Sequence, residues 1–376
     1  MKKFKSLMLA ALASAALAAP SFADGHAMSM GGEIVVGMKY TTETPDGKDT
    51  TTVQDTYIGD VNAKLTSKVS DSASYAIEFL KDDEKAGKVS FEMTGTATSG
   101  DNSIKAFADL SDITGTMGYG DVYIQGSNKT LTVTVGNFGQ TENYSNGLGY
   151  FRASDFGVGN IEHIDLSTFQ GLGLGINAGD ISITAEVPWM EISGDLDADG
   201  KYHEYALIKS SDKTGTKTNV SGIRPNIKMG FGDVKVSATF YSLSFSAQDG
   251  SDTEDKTNTA YQLMGQVAAG AAEVGLGYSS KTKKDGTAET TPSVLNGFVQ
   301  VGLGGGQNVG ASFEVLGDGA ETDETTVTRI SASYGMPFFV EAVTLKLGVG
   351  TSNATTDKTD GGGSASGLEA EWAYSF

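Results

Sequence analysis

Period-two alternation of apolar and polar residues recurs along nearly the whole chain, and it constrains the fold more than any other feature. The last stretch shows it best. Leu368, Ala370, Trp372, Tyr374 and Phe376 fall in one phase; Glu369, Glu371, Ala373 and Ser375 fall in the other. Ile34, Val36, Met38 and Tyr40 alternate with Glu33, Val35, Gly37 and Lys39, and Val343, Leu345, Leu347 and Val349 alternate with Thr344, Lys346 and Gly348. The same reading holds for Tyr75–Phe79, Leu131–Val135 and Val236–Phe240. In a strand successive side chains point to opposite faces, so each segment reads as a ribbon with one apolar and one polar face. The chain is predicted to be all-β.

The N-terminus is different in kind. Met1-Lys2-Lys3-Phe4-Lys5 is basic, Ser6 to Ala19 is an Ala- and Leu-rich apolar run, and Ser21-Phe22-Ala23 offers small residues at a cleavage site. This is the anatomy of a secretory signal peptide, with cleavage expected after Ala23 and Ala27 as the alternative. The apolar run is shorter than the roughly 20 residues a spanning helix needs. Beyond it no apolar run of that length occurs. A mature chain residing in a membrane would therefore have to be a closed β-barrel, which satisfies every backbone polar group in hydrocarbon.

Composition narrows the function classes. The chain has 376 residues, no Cys, 50 Gly and a formal charge of -20. Without Cys there are no disulfides, thiolate metal sites or Cys nucleophiles. The acidic balance argues against nucleic acid as a partner. The three His residues are His26, His163 and His203; His163, Asp165 and Ser167 lie too close along the chain to be read as a catalytic triad, which is a matter of geometry rather than proximity. No enzyme activity and no cofactor are expected.

Connections alternate in length. Short ones are predicted near Ser127-Asn128, Ala178-Asp180, Gly230-Asp233, Ala269-Ala271, Gly304-Asn308 and Met336-Pro337, and long polar ones near 41–52, 138–168, 190–219, 246–257, 281–291, 317–325 and 353–366. Short turns at one end and long loops at the other suit a membrane barrel, whereas a soluble sandwich has no reason to keep that order. Aromatic residues near strand ends (Tyr40, Tyr241, Tyr278, Tyr334, Trp372 and Tyr374) are expected to form interfacial girdles.

A signal peptide, repeated amphipathic strands and a final strand ending Trp372-Ala373-Tyr374-Ser375-Phe376 resemble the Gram-negative outer-membrane porins of the general diffusion family. A second motif, Asp121-Val-Tyr-Ile-Gln-Gly followed by Leu131-Thr-Val-Thr-Val-Gly-Asn-Phe138, resembles the hairpin leading into that family's long third loop. The fold this implies is a transmembrane antiparallel β-barrel formed by residues 24–376 after removal of 1–23. A repeat of roughly 20–22 residues gives about 16–18 strands. Eleven strands are read after residue 168. The resemblance implies five before the third loop, hence 16 strands. The stretches 87–97 and 104–110 are read as parts of a second loop at 81–113 that reaches a neighbouring subunit, or as an additional hairpin making 18.

The resemblance further implies an inward-folded constriction loop at about 136–168 carrying Glu142, Arg152, Asp155, Glu162 and Asp165, facing bases on the wall. Lys39, Lys64, Arg224, Lys228, Arg329 and Lys346 fall on the polar phase of their strands and are the candidate wall bases; an Arg facing lipid at mid-membrane costs about 2–4 kcal/mol. Fixed charge of this kind sets ion selectivity. The net negative charge points to cation preference. The implied role is a water-filled outer-membrane channel for passive diffusion of small hydrophilic solutes and ions, assembled as a homotrimer among outer-membrane lipid and lipopolysaccharide. A substrate-selective channel of the same build, and a secreted acidic β-rich adhesin or surface protein, are the alternatives. Asp195-Leu-Asp197-Ala-Asp199-Gly200 reads as the start of an oxygen-rich calcium loop, making Asp195, Asp197 and Asp199 candidate ligands, although Ala206 stands where an EF-hand has Glu.

Overall fold

The computed structural model describes residues 28–44, 49–70, 72–81, 88–112, 117–139, 168–193, 217–247, 256–285, 288–320, 325–356 and 363–375. Among them nineteen strands form a single antiparallel sheet. Seven precede residue 140: β1 (Met28–Thr44), β2 (Thr51–Ser70), β3 (Ala73–Lys81), β4 (Lys88–Ser99), β5 (Asn102–Asp112), β6 (Met117–Ser127) and β7 (Leu131–Gly139). Then come β8 (Thr168–Ala178), β9 (Ile181–Ser193), β10 (Lys217–Phe231), β11 (Val234–Ala247), β12 (Lys256–Ala269) and β13 (Ala272–Asp285). The short β14 (Ala288–Thr290) pairs with the end of β13 alone among the described residues. The series ends with β15 (Ser293–Gly304), β16 (Gln307–Gly317), β17 (Thr325–Phe338), β18 (Val340–Thr356) and β19 (Ser364–Ser375).

The sheet closes on itself. β1 pairs with β2 along one edge and with β19 along the other, from Glu33 opposite Ser375 to Thr44 opposite Ser364. With β14 as a side flap on β13, which continues directly to β15, eighteen strands make the wall. The expectation of 16 strands is thus corrected to 18. All eleven strands read after residue 168 are present, and the difference lies wholly in β4 and β5. These pair with each other from Val89 opposite Asp112 to Ser99 opposite Asn102, and dock onto β3 and β6. Residues 81–113 are therefore mostly barrel wall rather than a loop reaching a neighbour.

Connection lengths sort by end. At one end the gaps between strands are one to three residues. Five of these turns begin with glycine at positive φ, at Gly100, Gly179, Gly232, Gly270 and Gly305 (58 to 62°). A two-residue hairpin with Gly at its first position and φ > 0 matches the right-handed twist of the flanking strands. At the other end the gaps run from four residues (113–116) to twenty-eight (140–167). The longest gap follows β7 and is the fourth connection at that end, not the third, because the β4–β5 hairpin adds one before it.

The two faces of the wall differ sharply. One presents Val36, Met38, Ile124, Ile176, Leu263, Leu276, Ile330 and Leu368, all exposed. The other carries Thr134, Asn226, Ser237, Thr239, Ser279, Asn296, Ser312, Ser331 and Ser352, all buried. Side chains converge on the concave face of a closed sheet and diverge on the convex one, so the crowded polar set points inward and the exposed apolar set outward. No helix among the described residues is long and apolar enough to cross a membrane. Most of the eighteen strands match or exceed the roughly 9–11 residues a tilted spanning strand needs.

Outward aromatics gather at two levels. Tyr40, Phe240, Tyr261 and Tyr278 lie toward the long-connection end, with Tyr261 and Tyr278 rings 5.8 Å apart. Tyr334, Trp372 and Tyr374 lie toward the short-turn end. Tyr241 departs from the expected girdle: it is 2% exposed and points inward in phase with Ser237 and Thr239. On β11 the inward phase turns apolar above Thr239, with Tyr241 and Leu243, while Ser242 and Ser244 face out.

Candidate functional site: the inner wall

The inward charges are held by cross-strand register. Arg224 of β10 stands directly opposite Glu186 of β9 and forms a hydrogen-bonded ion pair with it, both nearly fully buried. Arg329 of β17 faces Glu314 of β16, with Nη1 to Oε2 at 3.5 Å and exposures of 3% and 2%. Lys346 of β18 faces Glu371 of β19 at 2.8 Å. Lys64 of β2 reaches across two strands, 3.8 Å from Glu78 on β3 and 2.6 Å from Glu92 on β4, with Asp109 of β5 also acting on its charge. Lys39 of β1 lies inward, in register with Glu369 of β19. Lys228 of β10 lies in register with Ser182 and Ser237.

Directly opposite residues in an antiparallel pair have Cβ atoms about 4.5–5.5 Å apart, so placing Glu against Arg or Lys on neighbouring strands makes contact without a loop. The six wall bases named from the polar phase are therefore inward, and Lys64, Arg224, Arg329 and Lys346 contact carboxylates of the wall itself. Sequence phase locates each base but not its partner, because partnership depends on register between strands. Glu78, Glu92, Glu186, Glu314 and Glu371 share the polar phase of their strands, but phase alone does not mark them as partners of these bases.

Between the ion pairs the wall is lined by small polar groups. Ser312 and Ser331 share a 2.7 Å hydrogen bond, Asn226 Nδ2 donates to Thr239 Oγ1 at 2.6 Å, and Gln125 Nε2 donates to Thr134 Oγ1 at 3.0 Å. Glu273 accepts from Gln266 at 2.6 Å, a neutral partner for an acid. On β8 the inward positions are Gly171, Gly173 and Gly175, a strip without side chains. An apolar cluster of Val294, Leu316 and Val327 closes the inward face near the long-connection end.

The expected constriction residues Glu142, Arg152, Asp155, Glu162 and Asp165 lie outside the described residues, as do the candidate calcium ligands Asp195, Asp197 and Asp199, the signal peptide 1–23, and His163. Among the described residues no group of three or more His, Asp or Glu side chains is placed to hold a metal ion.

The fold of this closed wall is shared with known proteins. No protein-family model matches the chain, and no curated protein matches it. Solved structures do. An anion-selective porin from Comamonas acidovorans matches with a TM-score of 0.54 at 11% identity, over 93% of this chain and 100% of that one. The outer membrane channel DcaP of Acinetobacter baumannii matches with a TM-score of 0.50 at 12% identity, over 94% and 98%. A trimer form of OmpT, an outer membrane protein of Vibrio cholerae, matches with a TM-score of 0.50 at 12% identity, over 93% and 100%. At these identities the likeness is one of fold, and in fold this chain is porin-like: a transmembrane β-barrel similar to the outer-membrane porins and channels of Gram-negative bacteria.

Proposed function

We propose that this chain forms a water-filled channel in the outer membrane through which small hydrophilic solutes and ions diffuse passively. The observation that carries the reading is the inversion of the two faces. The outward one is apolar and ringed by aromatics, and the inward one holds ion pairs and hydroxyl groups around a closed circuit of eighteen strands. Eight strands would leave an interior filled by side chains; sixteen to eighteen leave an aqueous bore. A secreted adhesin would have no use for exposed Leu263, Leu276, Ile330 and Leu368 on one continuous belt.

The channel is proposed to prefer cations. The support is local as well as global: Lys64 is shared by Glu78 and Glu92 with Asp109 beside them, and Glu273 has a neutral partner, so wall acids exceed wall bases there. A fixed negative potential raises the local concentration of counter-ions. Of the expected constriction loop at 136–168, the ends 136–139 and 168 belong to β7 and β8, and the segment between them, 140–167, is proposed to narrow the bore with its acids. A homotrimer, set in lipid and lipopolysaccharide, is the proposed assembly, supported by the trimer form of one structural neighbour. Calcium at Asp195, Asp197 and Asp199 remains a proposal from sequence, and unchanged calcium uptake by Asp197→Ala in equilibrium dialysis would dispose of it.

Planar-bilayer recording of the purified, folded protein tests the central reading. Discrete conductance steps are expected, with a reversal potential under a KCl gradient that favours potassium. A folded barrel producing no steps would overturn the channel, and a reversal potential favouring chloride would overturn the cation preference.

A further inference from the structure

One inward patch stands apart from the ion-paired wall. Phe107 of β5 and Tyr123 of β6 face each other across the strand pair, with ring centroids 5.3 Å apart at 27°. Phe138 of β7 meets Tyr123 edge-on at 6.3 Å and 70°. Glycines make this arc of rings fit. A Cβ on Gly136 would lie 2.8 Å from Tyr123 Cα, and one on Gly173 would lie 3.0 Å from Phe138 Cζ. Phe107 and Tyr123 are only half-buried, so ring surface remains open to the bore.

Lys105 borders the arc. Its Nζ lies 5.2 Å from the Phe107 centroid and 5.5 Å from that of Tyr123, and it donates to the Tyr123 hydroxyl at 3.0 Å. Lys64, Arg224, Arg329 and Lys346 each contact a carboxylate. Lys105 differs: among the described residues its contacts are all neutral. An ammonium has three N–H donors, and one is engaged by Tyr123. Among the described residues no carboxylate takes either of the other two, which leaves them to an incoming anion.

We propose that this patch is a binding station for monocyclic aromatic carboxylates passing through the channel. The solute ring lies against Phe107 and Tyr123, where offset or edge-on contact is favourable. Its carboxylate takes charge-assisted hydrogen bonds from Lys105, which are stronger than neutral ones. The Gln125 amide, opposite Lys105 in register, borders the same spot. An organic cation is repelled by the ammonium, and a carboxylate without a ring forfeits the stacking contact. The inference rests on the channel reading and names a solute class for it.

Single-channel currents distinguish the two. In wild-type protein, benzoate is expected to interrupt the open current, whereas acetate and benzylammonium at equal concentration leave it unchanged. Lys105→Met and Phe107→Ala, each still producing conductance steps, are expected to weaken the benzoate block by about tenfold. An equal benzoate block in both variants, or acetate blocking as strongly as benzoate, would overturn the station while leaving the channel intact. Should a variant not assemble, the three-solute comparison on wild-type protein decides. Should wild-type protein conduct nothing, the channel reading falls, and calorimetric titration of benzoate into the detergent-folded barrel still reads the site; absence of saturable heat overturns it.

Discussion

Arg329 and Glu314 are almost inaccessible, and each neutralises a charge that would otherwise sit unsolvated in the wall. Removing one partner of such a pair strands the other, at a cost of about 3–5 kcal/mol, while replacing both with apolar residues of similar size is far milder. Arg329→Met alone is therefore expected to lower resistance to urea by that amount, and Arg329→Met with Glu314→Leu to recover most of it; equal loss in both would show that the pair is not buried as described. Phe339 presents the opposite case. It is the single residue between β17 and β18, has φ of 63° and is 94% exposed. A side chain in the left-handed region costs about 1–2 kcal/mol, which glycine avoids. Phe339→Gly should stabilise the folded barrel by about 1 kcal/mol in denaturant titration, a gain reduced by glycine's freedom in the unfolded chain.

The β4–β5 hairpin decides the circumference. The outward phase of β5 reads Ile104, Ala106 and Ala108, with small residues where other strands carry Leu or Val, and its inward phase holds apolar Phe107. Thr94, Gly95 and Thr96 blur the phase of β4 further. Val89, Phe91 and Met93 alternate with Ser90 and Glu92, but the phase fades after Thr94 and across Ala106–Ala108, so the stretch reads equally well as loop and only pairing with β3 and β6 settles it. Because strands enter in pairs, excision of 88–112 leaves an even antiparallel circuit. Barrel diameter grows roughly linearly with strand number, so a 16-stranded variant should conduct about a fifth less than the parent. Unchanged conductance in a folded variant would count against the hairpin being part of the wall.

Closure belongs to the molecule as a whole. β19 holds β1 through twelve residue pairs, and without it two strand edges lie open in lipid, where unpaired backbone groups cost several kcal/mol each. Deleting 368–376 is expected to abolish the compact, heat-modifiable form on detergent gels. The field in the bore is also collective: Glu78→Gln with Glu92→Gln should lower the potassium-to-chloride permeability ratio by about twofold, read from the reversal potential. Much of this protein was legible in one dimension. Alternation with period two places each side chain on one of two faces from local backbone geometry alone, so the all-β class, eleven strands after residue 168, the inward phase of Lys39, Lys64, Arg224, Lys228, Arg329 and Lys346, and the outward belt all follow from residue order. The count of eighteen, the partner of each base and the meeting of Lys105 with Phe107 and Tyr123 do not. Those depend on register between strands and on where the circuit closes, which are relations between residues far apart in the chain and exist only once the sheet is assembled.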